Sequence, residues 1–162
     1  MIGGVPKPGQ TPVKLRRGGS DDLDCVVGVM NEAFDEEFGE RWSRSQCAGI
    51  LPMPGVRLSV VEERGAIIAF SLMRTILDES ELLLIAVAPD HQARGIGRLL
   101  LDDFQVQGQS AGADRLHLEV RDGNRAVSLY KDSGFQIVGR RRDYYRGRDG
   151  NCYDALTMML RK

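Results

Sequence analysis

The chain has 162 residues, of which 42% are hydrophobic and 28% charged, and its formal net charge is −1. That length fits one domain with a sizeable core, and the near-neutral charge argues against a nucleic-acid or membrane-surface partner. No apolar run approaches the roughly 18 residues of a membrane span. The three cysteines form no CxxC pair, so we expect free thiols in a reducing cytoplasm and no metal site.

The first half of the chain predicts two helices and a β-hairpin. Residues 1–10 hold three Gly and two Pro without periodicity, so we expect a flexible N-terminal arm before a single domain over residues 11–162. The elements predicted here are a strand at 13–16, a helix capped by Ser20 and ending near Gly39, a short helix opened by the capping-box pair Ser43 and Gln46, and a hairpin of strands 56–62 and 66–77.

The second half predicts a strand–helix–strand unit followed by a second helix and two strands. Leu82–Val87 reads as a buried strand, and an apolar periodic helix begins near Gly95. The remaining predicted elements are a strand at 115–120, a helix at 124–133 and strands at 135–141 and 155–160. We therefore expect an α/β protein whose mixed, mostly antiparallel, twisted sheet carries about four flanking helices.

The loop after the strand at 82–87 predicts an anion site. It runs Gln92-Ala93-Arg94-Gly95-Ile96-Gly97 and leads straight into the helix. The two glycines allow close approach, and the first turn of the helix offers unpaired backbone N–H groups and the positive end of its dipole. Arg94 and Arg98 add positive charge. A phosphate or pyrophosphate is the expected occupant.

Three interpretations of this loop compete. It could be a turn without a ligand. It could be a dinucleotide-binding GxGxxG turn, although Leu100 stands at the third glycine position and the glycines do not directly follow the strand. It also resembles the Gln/Arg-x-x-Gly-x-Gly/Ala loop of GNAT N-acetyltransferases, which holds the pyrophosphate of coenzyme A.

Two segments together carry a wider resemblance. The first is IAVxPxxQxRGIGRxLL at 85–101, and the second combines LEVR at 118–121, LYxxxGF at 129–135 and a Tyr pair at 144–145. Together they resemble the GNAT superfamily and, within it, the bacterial ribosomal-protein-alanine N-acetyltransferases of the RimI type. The match is strongest from about residue 79 to residue 145. The Tyr pair is either an ordinary part of a hairpin or a lining of the acceptor groove.

The resemblance implies a GNAT fold, acetyl-CoA as cosubstrate without a metal, and a protein N-terminal amine as acceptor, with the N-terminal alanine of a small-subunit ribosomal protein expected. It makes Glu119 the general base and Tyr130 the general acid, and it places Ile85, Ala86 and Val87 where the central strand separates from its neighbour. The cofactor-binding residues that it implies are Ile85, Ala86, Val87, Gln92, Ala93, Arg94, Gly95, Ile96, Gly97, Arg98 and Asn124. The segment between Glu119 and Tyr130 looks one residue shorter than the family pattern, so Gly123 competes with Asn124 for the last position.

The residue types fit this chemistry. A carboxylate can take the proton of an attacking amine, a backbone N–H such as that of Val87 can stabilise the oxyanion, and a phenol can protonate the departing thiolate. Other functions stay open: acetylation of a small amine or an internal lysine, or a non-catalytic acyl-CoA sensor. A dinucleotide oxidoreductase is disfavoured because too few strand–helix repeats follow Glu119. Monomer and weak dimer both remain possible.

Overall fold

Seven strands form one sheet in the computed structural model of the chain, which describes residues 11–161. The predicted arm at 1–10 lies outside the described residues. The strands are Lys14–Arg17 (β1), Val56–Glu63 (β2), Ala66–Ile76 (β3), Glu79–Val87 (β4), Arg115–Arg121 (β5), Gln136–Arg146 (β6) and Cys152–Arg161 (β7). The helices are Leu23–Ala33 (α1), Arg44–Ile50 (α2), Ile96–Ser110 (α3) and Ala126–Asp132 (α4).

The strand order is β1-β2-β3-β4-β5-β7-β6. Every neighbouring pair is antiparallel except β4 and β5, which are parallel and are joined by the crossover helix α3. A parallel pair needs such a crossover because a tight turn can only reverse the chain. The predicted α/β class, with a mixed and mostly antiparallel sheet and four helices, is confirmed.

Helices cover both faces of the sheet, and the buried side chains form three clusters. The first cluster joins α1 and α2 to β2, β3 and β4, the second joins α3 and α4 to β5 and β7, and the third joins α3 to β2 and β3. In β5, Leu116, Leu118 and Val120 are buried in the second cluster. Because side chains alternate along a strand, Glu119 and Arg121 lie on the opposite face, the face that α1 and α2 cover.

The first predicted helix is shorter than its hydrophobic period suggested. α1 ends at Ala33, where Phe34 turns to extended backbone, and a separate 3₁₀ turn follows at Glu36–Phe38. The Asp35 carboxylate accepts from Glu37 N at 2.9 Å and caps that turn. The expected cap at Ser20 is also wrong, since Ser20 opens a 3₁₀ turn before the helix. Local polar capping therefore overrode an apolar spacing that continued to Phe38.

The other boundaries follow the predictions more closely. The capping box is confirmed: Gln46 N donates to Ser43 Oγ at 3.1 Å, and Ser43 N donates to Gln46 Oε1 at 2.7 Å. The last two strands extend beyond their predicted ends, so Tyr144 and Tyr145 belong to β6. Within residues 11–161, no helix has the length and apolar character required to cross a bilayer.

Candidate active site

The central strands separate at the middle of the sheet. β4 and β5 pair only from Glu79↔Arg115 to Leu82↔Leu118, and beyond that point β4 pairs with β3 alone while β5 pairs with β7. The separated part of β4 holds Ile85, Ala86 and Val87. The predicted separation is confirmed. It exposes backbone hydrogen-bonding groups of β4 along one edge, and such groups need a partner when water is excluded.

The loop before α3 presents a run of unpaired backbone donors. Among the described residues, none of the N–H groups at positions 93–98 has an acceptor within hydrogen-bonding distance, and the first helical bond runs from Leu99 N to Gly95 O at 3.0 Å. Ala93 and Gly95 have φ values of 61° and 80°. Left-handed residues that alternate with helical ones turn successive N–H groups toward one concave spot, which binds anions. The two left-handed residues and the run of free N–H groups suit the predicted anion site, which stays a prediction.

The two arginines of the loop behave differently from each other. The Arg94 guanidinium donates to Glu63 Oε2 at 2.6 Å and lies 2.9 Å from His91 Nδ1, and this ion pair holds the pKa of Glu63 below its usual value. Arg98 is half-exposed and pairs with Asp102 at 3.1 Å. Arg94 therefore fastens the loop to β2, while Arg98 has the freedom to turn toward a bound anion.

The Gln92 side chain also supports the loop. Its Nε2 donates to Val87 O at 3.0 Å, across the turn that joins β4 to α3. This bond ties the end of the separated strand to the loop before α3. Sequence reasoning placed Gln92 in the site without assigning it this bond.

Glu119 is held in place on the face covered by α1 and α2. Its side chain is 12% exposed, accepts from Thr157 Oγ1 at 2.8 Å and pairs with Arg141 Nε at 3.1 Å. Thr157 is its register partner across the β5–β7 pair. These two contacts fix the carboxylate next to the strand separation. No local pattern assigned a role to Thr157 or Arg141, because both reach Glu119 only through the pairing of β5, β7 and β6.

One phenol, that of Tyr145, lies near this carboxylate, and a second, that of Tyr130, lies on the opposite face of the sheet. Tyr130 on α4 is 4% exposed and packs edge-on against Phe135, and its burial, together with the nearby charge of Glu40, raises its pKa. The hydroxyl of Tyr145 reaches the backbone oxygen of Glu119 at 3.5 Å, and burial followed by the charge of Glu40 raises its pKa as well. Both phenols therefore stay protonated at working pH and can donate hydrogen bonds.

Asn124 is already engaged. Its Oδ1 accepts from Ala126 N at 2.8 Å, which caps α4, and its Nδ2 donates to Glu40 Oε2 at 3.0 Å. A cofactor contact through this side chain would compete with both bonds, whereas the adjacent Gly123 has no side chain to commit. Either position stays a prediction.

The arrangement suits a reaction between two molecules that meet at the strand separation. One carries an anionic group that the loop at 93–98 can bind on the α3 side. The other approaches from the face of Glu119, where a carboxylate can accept a proton. The phenol of Tyr130 lies on α4, at the opposite face, and can supply one.

Comparison with known proteins supports this reading of the geometry. Residues 54–137, just over half of the chain, match the family model described as an acetyltransferase (GNAT) domain. Over 96 residues the chain is 40% identical to the ribosomal protein bS18-alanine N-acetyltransferase of Haemophilus influenzae, a match that covers 59% of this chain and 66% of that relative. The match thus spans slightly less than two thirds of the relative's length.

Solved structures extend the likeness to almost the whole chain. The ribosomal-protein-S18-alanine N-acetyltransferase from Escherichia coli superposes with a TM-score of 0.81 at 31% identity, covering 92% of this chain and 93% of that one. An acetyltransferase from Salmonella typhimurium, solved with acetyl-CoA, has the same fold, with a TM-score of 0.76 at 18% identity over 93% of this chain and 94% of that one.

Proposed function

The chain belongs to the GNAT family of acetyltransferases, and from that premise we propose that it moves the acetyl group of acetyl-CoA to the free α-amine of a protein N-terminus. The proposal depends on one observation, the strand separation, because it lies between the backbone N–H donors at 93–98 and the carboxylate of Glu119. The acceptor that we propose is the N-terminal alanine of ribosomal protein S18, because the relatives described above are named for that substrate.

The cosubstrate would use both parts of the separated edge. The backbone donors at 93–98 suit its pyrophosphate, with Arg98 adding charge, and the free edge of Ile85–Val87 suits the amide groups of its pantetheine arm. An extended arm with amide groups can hydrogen-bond to a strand edge much as a further strand would. Arg94 and Gln92 support this site by holding the loop.

The proposed reaction is direct transfer. The amine nitrogen attacks the thioester carbon, a new C–N bond forms, and the C–S bond breaks. Glu119 takes the proton that the amine loses, and a backbone N–H of the β4 edge, for which we propose Val87, stabilises the oxyanion. Tyr130 gives its proton to the departing sulfur and then takes one from solvent. Glu119 releases to solvent the proton that it took from the amine.

The raised pKa of Tyr130 refines its role. A phenol that is harder to ionise than usual keeps its proton until negative charge develops on the sulfur. Its contribution is therefore a hydrogen bond that strengthens as the C–S bond breaks, with transfer completed late. An interaction that strengthens toward the transition state raises kcat, whereas one that is equal in both states lowers only KM.

The α-amine is favoured over lysine on acidity. An α-amine has an unperturbed pKa of about 7.7–8.0 and a lysine of about 10.4, so at neutral pH far more of the α-amine is unprotonated. A single carboxylate that already pairs with Arg141 and Thr157 is then a sufficient base. The ordered environment of Glu119 also favours an enzyme, because a non-catalytic acyl-CoA sensor does not need a positioned base.

The test is incubation with acetyl-CoA and short peptides that differ only in their first residue, with product masses measured. We expect one acetyl group on peptides that begin with Ala or another small residue and none on the same peptides with a blocked N-terminus. Transfer to the blocked peptides through internal lysines, or to no peptide at all, would overturn the proposal.

A further inference from the structure

Glu40 is a partly buried carboxylate that the proposed reaction leaves without a role. It lies in the connection between α1 and α2, just after the 3₁₀ turn at Glu36–Phe38. Its Oε1 accepts from Arg121 Nε at 2.6 Å and its Oε2 accepts from Asn124 Nδ2 at 3.0 Å. The side chains of Glu40 and Arg121 are each 13% exposed. The Arg121 guanidinium also lies 3.7 Å from the centre of the Phe38 ring.

The contact with Asn124 reaches the helix that carries the proposed acid. The same Asn124 side chain caps α4 through Ala126 N at 2.8 Å. Tyr130 lies four residues after Ala126, one helical turn further along the same helix. A chain of two hydrogen bonds therefore connects Glu40, on the acceptor face, to the start of the helix that presents the phenol.

The charge of Glu40 also acts on the phenol directly. It opposes ionisation of Tyr130 and of Tyr145, so both hydroxyls lie within its field. Arg121, which pairs with Glu40, is the compensating positive charge. Ion pairs that are largely removed from water give little net stability, and apolar residues of similar size often replace them without loss. Stability alone is thus a weak explanation for a carboxylate at this position.

We infer that Glu40 is a positioning residue for acetyl transfer: through Asn124 it fixes the start of α4, and so the place of Tyr130, from the acceptor side of the sheet. The inference rests on the proposed function and adds to it a third side chain that works through the acid. An acceptor that binds beside the connection between α1 and α2, on one face of the sheet, would thereby affect the position of the acid on the other face.

The test is a double-mutant cycle with Glu40→Gln and Tyr130→Phe, read as kcat with acetyl-CoA and an alanine-first peptide both saturating. Glu40→Gln keeps the size of the side chain but removes the charge and one of its two acceptor oxygens, so it can no longer accept from Arg121 and Asn124 together. We expect it to lower kcat by about 10- to 100-fold, the effect of a small misplacement of a reacting group, and to leave KM for acetyl-CoA unchanged. In the Tyr130→Phe background the same substitution should leave kcat almost unchanged, because no acid is left to position.

Glu36→Gln is the matched control. Glu36 is a half-exposed carboxylate of the same connection and pairs with Arg41 at 2.9 Å and Arg148 at 2.7 Å, both of which lie outside α4. Its kcat should match that of the wild type. Asn124→Ser is a second route if Glu40→Gln folds poorly, since serine keeps a capping oxygen but has no amide to donate to Glu40.

The outcomes separate this inference from the proposed function. An equal loss of kcat from Glu40→Gln in both backgrounds, or no loss in the wild-type background, would overturn the positioning role while leaving acetyl transfer intact. A wild-type chain that acetylates no peptide would instead refute the proposed function and this inference with it. A loss that disappears in the Tyr130→Phe background supports the inference, because a general loss of structure would persist there.

Discussion

Gly97 offers a prediction in which stability and cofactor binding change in opposite directions. It is the second residue of α3, and a Cβ added there would lie 3.4 Å from Leu129 Cδ2 and 3.9 Å from Val87 Cγ2. Both are ordinary contacts, so the chain itself accepts alanine at this position. Under the proposed function, however, the methyl would enter the space between the separated strand and α4 where the cosubstrate lies.

The expected changes in stability and in acetyl-CoA affinity follow from this geometry. Replacing a helical glycine by alanine stabilises by about 0.5–1 kcal/mol, which raises the melting temperature of a domain this size by roughly 1–4 °C. A methyl group forced into an occupied site costs about 1–3 kcal/mol. The dissociation constant of acetyl-CoA should therefore rise about 5- to 150-fold.

A thermal shift assay measures both effects. With acetyl-CoA at 100 times its wild-type dissociation constant, the ligand adds about 2.7 kcal/mol to wild-type stability, and the same concentration should add only about 0.3–1.8 kcal/mol to Gly97→Ala. Gly28→Ala in α1 is the control, because no atom lies within 4 Å of its added Cβ. It should stabilise the free chain similarly and leave the acetyl-CoA shift unchanged. If Gly97→Ala binds acetyl-CoA as the wild type does, the cosubstrate does not lie at this place.

The other predictions concern chemistry and pH. Glu119→Gln and Tyr130→Phe should each lower kcat by about 10²- to 10⁴-fold with little change in acetyl-CoA affinity, and near wild-type turnover by both variants would refute their roles. Because the pKa values of Tyr130 and Tyr145 are raised, phenol ionisation should not reduce kcat up to pH about 10, the ordinary tyrosine value; a decline between pH 8 and 10 that Tyr130→Phe abolishes would contradict this. The lowered pKa of Glu63 means that its pair with Arg94 stabilises the fold above pH about 4.3 and that this contribution is lost as the pH falls through the lowered value. The melting temperature of Arg94→Gln should thus lie below that of the wild type at pH 7 and approach it in acid, and a gap that does not change with pH would argue against the ion pair.

Local signals explain what the sequence could predict. The loop before α3 could be predicted because its properties come from neighbouring residues: two glycines, a helix start and no side-chain cap. The capping box at Ser43 is local for the same reason. The separation of β4 from β5 was expected from the family resemblance, and the register confirms where it begins.

Contacts between distant segments explain what the sequence could not predict. Thr157 meets Glu119 through a strand register that no local pattern encodes. Glu40 meets Asn124 across 84 positions, and it directly follows residues 34–39, which the apolar spacing had assigned to the first helix. Because residues 34–39 leave the helix, the chain brings the carboxylate of the next residue, Glu40, to the site. The part of the site missed from sequence is thus the acceptor side, which is assembled from loops and late strands.

The most direct test of acetyl transfer to an α-amine uses one peptide that offers both kinds of amine. It begins with a free alanine, holds one internal lysine, and is incubated with acetyl-CoA and the chain, after which fragmentation by mass spectrometry locates the acetyl group. The account predicts acetylation of the alanine nitrogen alone, at a rate that falls sharply with Glu119→Gln. Acetylation of the lysine, with the alanine nitrogen left free, would contradict it.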